Sequence, residues 1–167
     1  GFALEAIEKA HPGATAMFLM LCGGDQNPHP RGKYANVEQY GKELAAAVEQ
    51  VLSRAMRSVH PPIQSAMRAR QLDFAPHTRE TFEAEAKSGD KFKQRRARLM
   101  LDAYAKGQPV RQLPYRVQAI RFGKDLTILA LGGEVVVDYS IRARKEFPQE
   151  NLVVAGYCNE VACYIPS

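Results

Sequence analysis

The sequence predicts an α/β fold, a mixed β-sheet with helices packed on its faces. Apolar runs of strand length alternate with segments whose apolar residues recur every three and four positions. A period-two stretch, a Gly-Lys-Asp turn and a second apolar run read as a β-hairpin near residues 114–131. The 167 residues, 46% apolar and 25% charged, suit one soluble globular domain with a real core, spanning residues 1–167.

The elements follow in order. Residues 2–10 read as a helix end closed by His11, Pro12 and Gly13. Thr15, Ala16, Met17, Phe18, Leu19, Met20 and Leu21 form a continuous apolar run, expected to be a buried strand. A Gly- and Pro-rich loop leads to an amphipathic helix over about residues 36–56. Val37, Tyr40, Leu44, Val48, Val51, Leu52 and Ala55 make its apolar stripe, and Asn36 is the expected N-cap. His60, Pro61 and Pro62 break it. Residues 63–74 read as a strand, and residues 78–104 as a charged helical region interrupted at Ser88 and Gly89. The hairpin comes next, with its turn at Gly123, Lys124 and Asp125. Residues 135–147 are expected to be helical, with Arg142, Arg144 and Lys145 near the end, and residues 151–157 a final strand.

The net charge is +5, but basic and acidic residues are interspersed. The one dense basic run, from Lys91 to Arg98, reads as a solvated helix face, and no aromatic interleaving points to nucleic acid. No apolar run approaches the ~20 residues of a membrane helix. The chain begins with Gly1, so it is expected to be a processed or excised product. Cys22, Cys158 and Cys163 lack the spacing of a disulfide framework and are expected to be thiols. No histidine pair has metal-site spacing, and no nucleophile elbow, phosphate loop or dinucleotide fingerprint occurs.

Three segments carry chemistry. Gly23-Gly24-Asp25-Gln26-Asn27-Pro28 follows an apolar run, where α/β folds place ligands. Its glycines let backbone N–H groups approach an anion, or merely meet the dihedral needs of a turn. Glu134, after Gly132 and Gly133, is a candidate metal ligand or general base; alternatively it is a first-turn helix carboxylate. Tyr164 is a candidate ligand or hydrogen-bond donor, or simply a half-buried strand tyrosine.

Taken together, Gly-Gly-Asp-Gln-Asn-Pro, Gly-Glu before a basic helix, and Gly-Tyr-Cys-Asn followed by Tyr164-Ile165 resemble the neutral/alkaline, non-lysosomal ceramidase family. The resemblance covers the later part of that family's catalytic domain, of which this chain is expected to be a fragment. It implies a zinc amidase that cleaves the N-acyl bond of ceramide, with zinc held by two histidines, a glutamate and a tyrosine. Glu134 falls at the Gly-Glu glutamate, and Tyr164, eight residues after Gly156, at the tyrosine. The histidines belong to an upstream part of the domain, leaving half a zinc site here. A lipid-like N-acyl substrate and a secreted or periplasmic location are implied in the same way. The family's Gly-Asp-x-Ser-Pro motif supplies a nucleophilic serine; here Asn27 stands in its place. An amide cannot be deprotonated to attack a carbonyl. Asn27, Asp25 and Gly24 then read as the catalytic loop, with Asn27 and backbone N–H groups around Gly24 as donors to an oxyanion. The competing expectation is a degenerate family member that binds a lipid or glycan or has only structural use.

Overall fold

The computed structural model describes all residues, 1–167. Its elements are α1 (Phe2–Ala10), α2 (Tyr34–Leu52), β1 (Ile63–Asp73), α3 (Arg79–Ala86), α4 (Lys91–Ala105), β2 (Gln112–Phe122), β3 (Leu126–Leu131), β4 (Glu134–Val135), α5 (Asp138–Glu146), β5 (Leu152–Ala155) and β6 (Tyr164–Ile165). A four-stranded sheet runs β1-β2-β3-β5, and β4 and β6 form a separate two-stranded sheet. β2 and β3 are the antiparallel hairpin, in register from Val117 opposite Leu131 to Phe122 opposite Leu126. β3 and β5 are parallel, from Thr127 opposite Leu152 to Ala130 opposite Ala155. The sheet is therefore mixed and the class α/β.

The chain forms two compact units, one of residues 1–67 and 117–167, the other of residues 68–116. In the first, the buried residues gather where β3 and β5 end. Ala130, Leu131, Val135, Val136, Val154, Ala155 and Ile165 are all buried, with Val135 and Ala155 fully enclosed. This concentration of packing makes a rigid floor under the loops that leave those strands. In the second unit, α3 and α4 pack together over Phe82 and Ala97. Thr78 caps α3 in a reciprocal capping box with Thr81, and Asp90 caps α4 through the Phe92 and Lys93 N–H groups. His77 stacks edge-on to Phe82 and Tyr104, and its ring nitrogens meet the Tyr104 hydroxyl and the Val110 carbonyl, each at 2.9 Å. The basic run lies on α4 and is largely exposed, a solvated helix face.

Four expectations need correction. Residues 15–21 are not a buried strand. Only Leu21 pairs, through one antiparallel bridge to Ala155, and Met17 and Phe18 are 87% and 59% exposed. An apolar run becomes a strand only where a neighbour supplies its hydrogen bonds, and β5 supplies one bridge. Asn36 is not the N-cap of α2. Gly32, at φ 98°, turns the chain so that Lys33 takes the extended N-cap conformation, and Asn36 sits in the first turn donating to Lys33 O. That helix also ends at Leu52 rather than Met56, where the Ser53 hydroxyl closes onto Gln50 O. The helix expected from residue 135 begins at Asp138, because Val135 pairs with Ile165 as a strand. β-branched residues favour that conformation.

Candidate functional site

Three loops meet at the carboxyl ends of β3 and β5. The first is the link from β3 to β4. Gly133 has φ 73°, in the left-handed region, and a Cβ there would lie 2.8 Å from both Cys163 O and Ile165 Cγ1. Only glycine allows this turn and the close passage of β6. The Gly133 N–H donates to Glu160 O at 2.7 Å and the Glu134 N–H to Cys163 O at 2.9 Å.

These bonds place Glu134 opposite Tyr164 as register partners of a parallel pair. Paired residues of neighbouring strands project from the same face, their backbones ~4.8 Å apart. Glu134 is half-buried and Tyr164 is 49% exposed, so a carboxylate and a phenol stand side by side, open to a ligand. Glu134 lies before α5, and the carboxylate in that helix's first turn is Asp138.

The second loop carries Gly24 and Asp25. The Gly24 N–H donates to Val135 O at 2.9 Å, and a Cβ on Gly24 would stand 3.0 Å from Glu134 O, Val135 C and Val135 O. Gly24 thus lets its loop lie directly on β4. Its N–H is committed to that contact rather than turned towards a ligand. Asp25 Oδ1 accepts from the Val137 N–H at 2.9 Å. Val137 is the N-cap residue of α5, which has no side-chain cap of its own, so Asp25 satisfies an orphan N–H from outside the helix. That bond holds the Asp25 carboxyl below the ordinary carboxylate range. Asn27 stands further along, exposed, its Oδ1 accepting from Arg31 at 2.6 Å. That contact leaves the Nδ2 group as the side chain's donor.

The third loop follows β5. Gly156 is buried, with Leu21 O 3.1 Å from where its Cβ would be. Tyr157 and Asn159 both have positive φ, 56° and 61°. The Tyr157 N–H donates to Gly133 O at 2.9 Å and the Cys158 N–H to Leu131 O at 3.0 Å, which lock this loop onto the first. The Tyr157 hydroxyl donates to Glu134 Oε1 at 3.2 Å. Burial, then the nearby Glu134 charge, pushes the Tyr157 phenol up, so it stays a protonated donor at neutral pH. Cys22, Cys158 and Cys163 are free thiols, each pushed up by burial.

The structure thus brings Gly24, Asp25, Glu134 and Tyr164 to one place, with Asn27 at the outer end of the same loop. Sequence reasoning missed Tyr157, although it lies inside the Gly156-Tyr157-Cys158-Asn159 segment that fixes the register of Tyr164. No group of three or more His, Cys, Asp or Glu residues in the chain is arranged to hold a metal ion. No helix is long and apolar enough to cross a membrane.

The fold, a mixed α/β sheet with helices on it, is ceramidase-like. The particular likeness is to the crystal structure of neutral ceramidase from Pseudomonas aeruginosa, at a TM-score of 0.64 and 19% identity. It covers 100% of this chain and 34% of the ceramidase, so the chain spans about a third of that protein's length. At this identity the likeness is one of fold. No protein-family model matches the sequence, and no curated protein matches it.

Proposed function

We propose that this chain is part of a ceramidase-like, zinc-dependent hydrolase that cleaves the N-acyl amide bond of a ceramide-type lipid. The observation that supports this best is the register of Glu134 with Tyr164, beside a Gly24-Asp25 loop anchored on the same short strand. The donor set fits zinc in kind: a carboxylate oxygen and a phenol oxygen borne by residues paired on one face of neighbouring strands. Glu134 and Tyr164 would be two of its ligands, and the two histidines implied by the family resemblance would come from elsewhere in the protein. When bound, zinc supplies Lewis acidity towards a carbonyl oxygen and towards water.

The chain's own residues do the rest. The β4–β6 ladder holds the backbones of Glu134 and Tyr164 in register. Asp25 ties the catalytic loop to the start of α5. Gly24 removes the side chain that would lift this loop from β4. Asn27 Nδ2 donates a hydrogen bond to the oxygen that gains charge as the amide carbonyl is attacked, a role worth about 3 kcal/mol in enzymes where one such donor has been removed. With Asn27 in the serine's position the attacking group is water, since an amide has no nucleophilic oxygen to activate.

Metal analysis of the full-length protein beside its Glu134→Ala and Tyr164→Phe variants tests this reading. Stoichiometric zinc in the parent and a large loss in both variants are expected. Unchanged zinc content in both overturns the assignment. An N-acyl substrate screen of the zinc-loaded protein then separates a hydrolase from a degenerate lipid- or glycan-binding relative in which Asn27 marks the loss of the serine's chemistry.

A further inference from the structure

We propose that Tyr157 is the positioning residue of the site, fixing the direction of the Glu134 carboxylate so that one oxygen is held by the protein and the other is presented to the metal. The inference rests on the zinc reading above.

Backbone conformation gives the first reason. Tyr157 has φ 56°, a region that a bulky aromatic residue rarely occupies. Such a conformation persists only where the surroundings over-determine it. Here they do: the Tyr157 N–H is bonded to Gly133 O, the next N–H to Leu131 O, and Gly156 is packed against Leu21 O. A glycine would meet these backbone needs without strain, so it is the tyrosine side chain that needs a separate explanation.

The side chain supplies it. Its hydroxyl donates to Glu134 Oε1 at 3.2 Å. Its ring runs past Gly23, where a Cβ would lie 3.6 Å from both Cε2 and the hydroxyl oxygen. The ring is therefore seated beside a backbone that carries no side chain, and its hydroxyl is aimed from that seat. A glutamate has three rotatable bonds, and an unrestrained carboxylate must be ordered when it binds an ion. Tyr157 orders it beforehand. Outer hydrogen bonds of this kind orient ligands, and their loss commonly lowers metal affinity 10–100-fold. The bond engages Oε1, so Oε2 is the oxygen the phenol leaves for the metal. Tyr164, in register on the neighbouring strand, is the adjacent donor.

Tyr157→Phe keeps the ring and deletes only the hydroxyl. In the full-length protein, zinc is titrated in competition with a chromophoric chelator, and the melting temperature of the metal-free protein is measured alongside. The expected result is an affinity for zinc lowered about 10–100-fold in Tyr157→Phe, with the metal-free melting temperature unchanged. Cobalt(II) in place of zinc is expected to show altered visible d–d bands in the variant, reporting a changed Glu134 geometry. Unchanged zinc affinity in Tyr157→Phe overturns the inference, as does a loss that appears only together with unfolding of the metal-free protein. Glu134→Ala separates the two levels. If it lowers affinity while Tyr157→Phe does not, only the positioning role fails. If neither variant changes it, the metal reading fails as well.

Discussion

Glu134 and Tyr164 are register partners across a two-residue parallel ladder, although one follows a β-hairpin and the other follows a helix, a strand and a loop. Parallel pairing between such short strands needs support from outside the ladder. Gly133 gives passage, and Val135 and Ile165 are buried beneath it. The spacing of the two backbones is thus set by packing.

On the proposed reading this chain offers one carboxylate and one phenol, half of a four-coordinate set, and it is expected to bind zinc weakly, if at all, by itself. Isothermal titration of the 167-residue chain is expected to give a Kd above about 1 µM. Nanomolar affinity would show that the site is already complete here.

Gly133→Ala removes the passage for β6. The left-handed backbone alone costs about 1–2 kcal/mol for an L side chain, and its Cβ would meet Cys163 O at 2.8 Å. Chemical denaturation is expected to show a loss at least that large, with the Glu134 and Val136 N–H groups losing protection from hydrogen exchange. A neutral substitution would place the site's rigidity elsewhere.

Asp25 links the loop to α5 in a pH-dependent way. Its folded pKa is lowered by the Val137 N–H, so its contribution is fully present above the unfolded value of about 3.9 and is lost as pH falls through the lower folded value. Asp125 behaves likewise, held low by hydrogen bonds from the His60 ring and N–H. Melting temperatures measured between pH 2 and 6 are expected to drop in acid, and the drop to be shallower in Asp25→Asn. An identical acid limb in parent and variant would refute the link.

Unit 68–116 has its own anchors. Phe82 is 5% exposed, and Phe82→Ala is expected to cost about 3–5 kcal/mol. Asp90→Ala removes the cap on α4 and is expected to cost about 1 kcal/mol. Urea unfolding of each variant, followed by the far-UV signal, measures both. Costs in the reverse order would mean that the unit is held by its helix ends rather than by its core.

Much of the fold is legible in single residues. The alternation around Arg116 and Ala119, with the turn at Gly123, specifies the hairpin locally, and its register follows from the turn. Thr78 and Thr81 spell out a helix start by their spacing. The expectations that fail are those decided by partners distant in sequence. Phe18 looks like a core residue by its neighbours and is 59% exposed. Val135 looks helical before Asp138, and a strand at the end of the chain draws it into a ladder.

The sequence by itself determined the α/β class and the three segments that carry polar groups, while a family resemblance supplied Glu134 and Tyr164 as expected ligands. Tertiary structure alone decided that Asp25 caps α5, that the Gly24 N–H is committed to Val135, and that the Tyr157 hydroxyl meets Glu134. Local spacing reports periodicity and turn chemistry. These three contacts join loops far apart in the chain, and such contacts depend on how the strands are stacked before any side chain can find its partner.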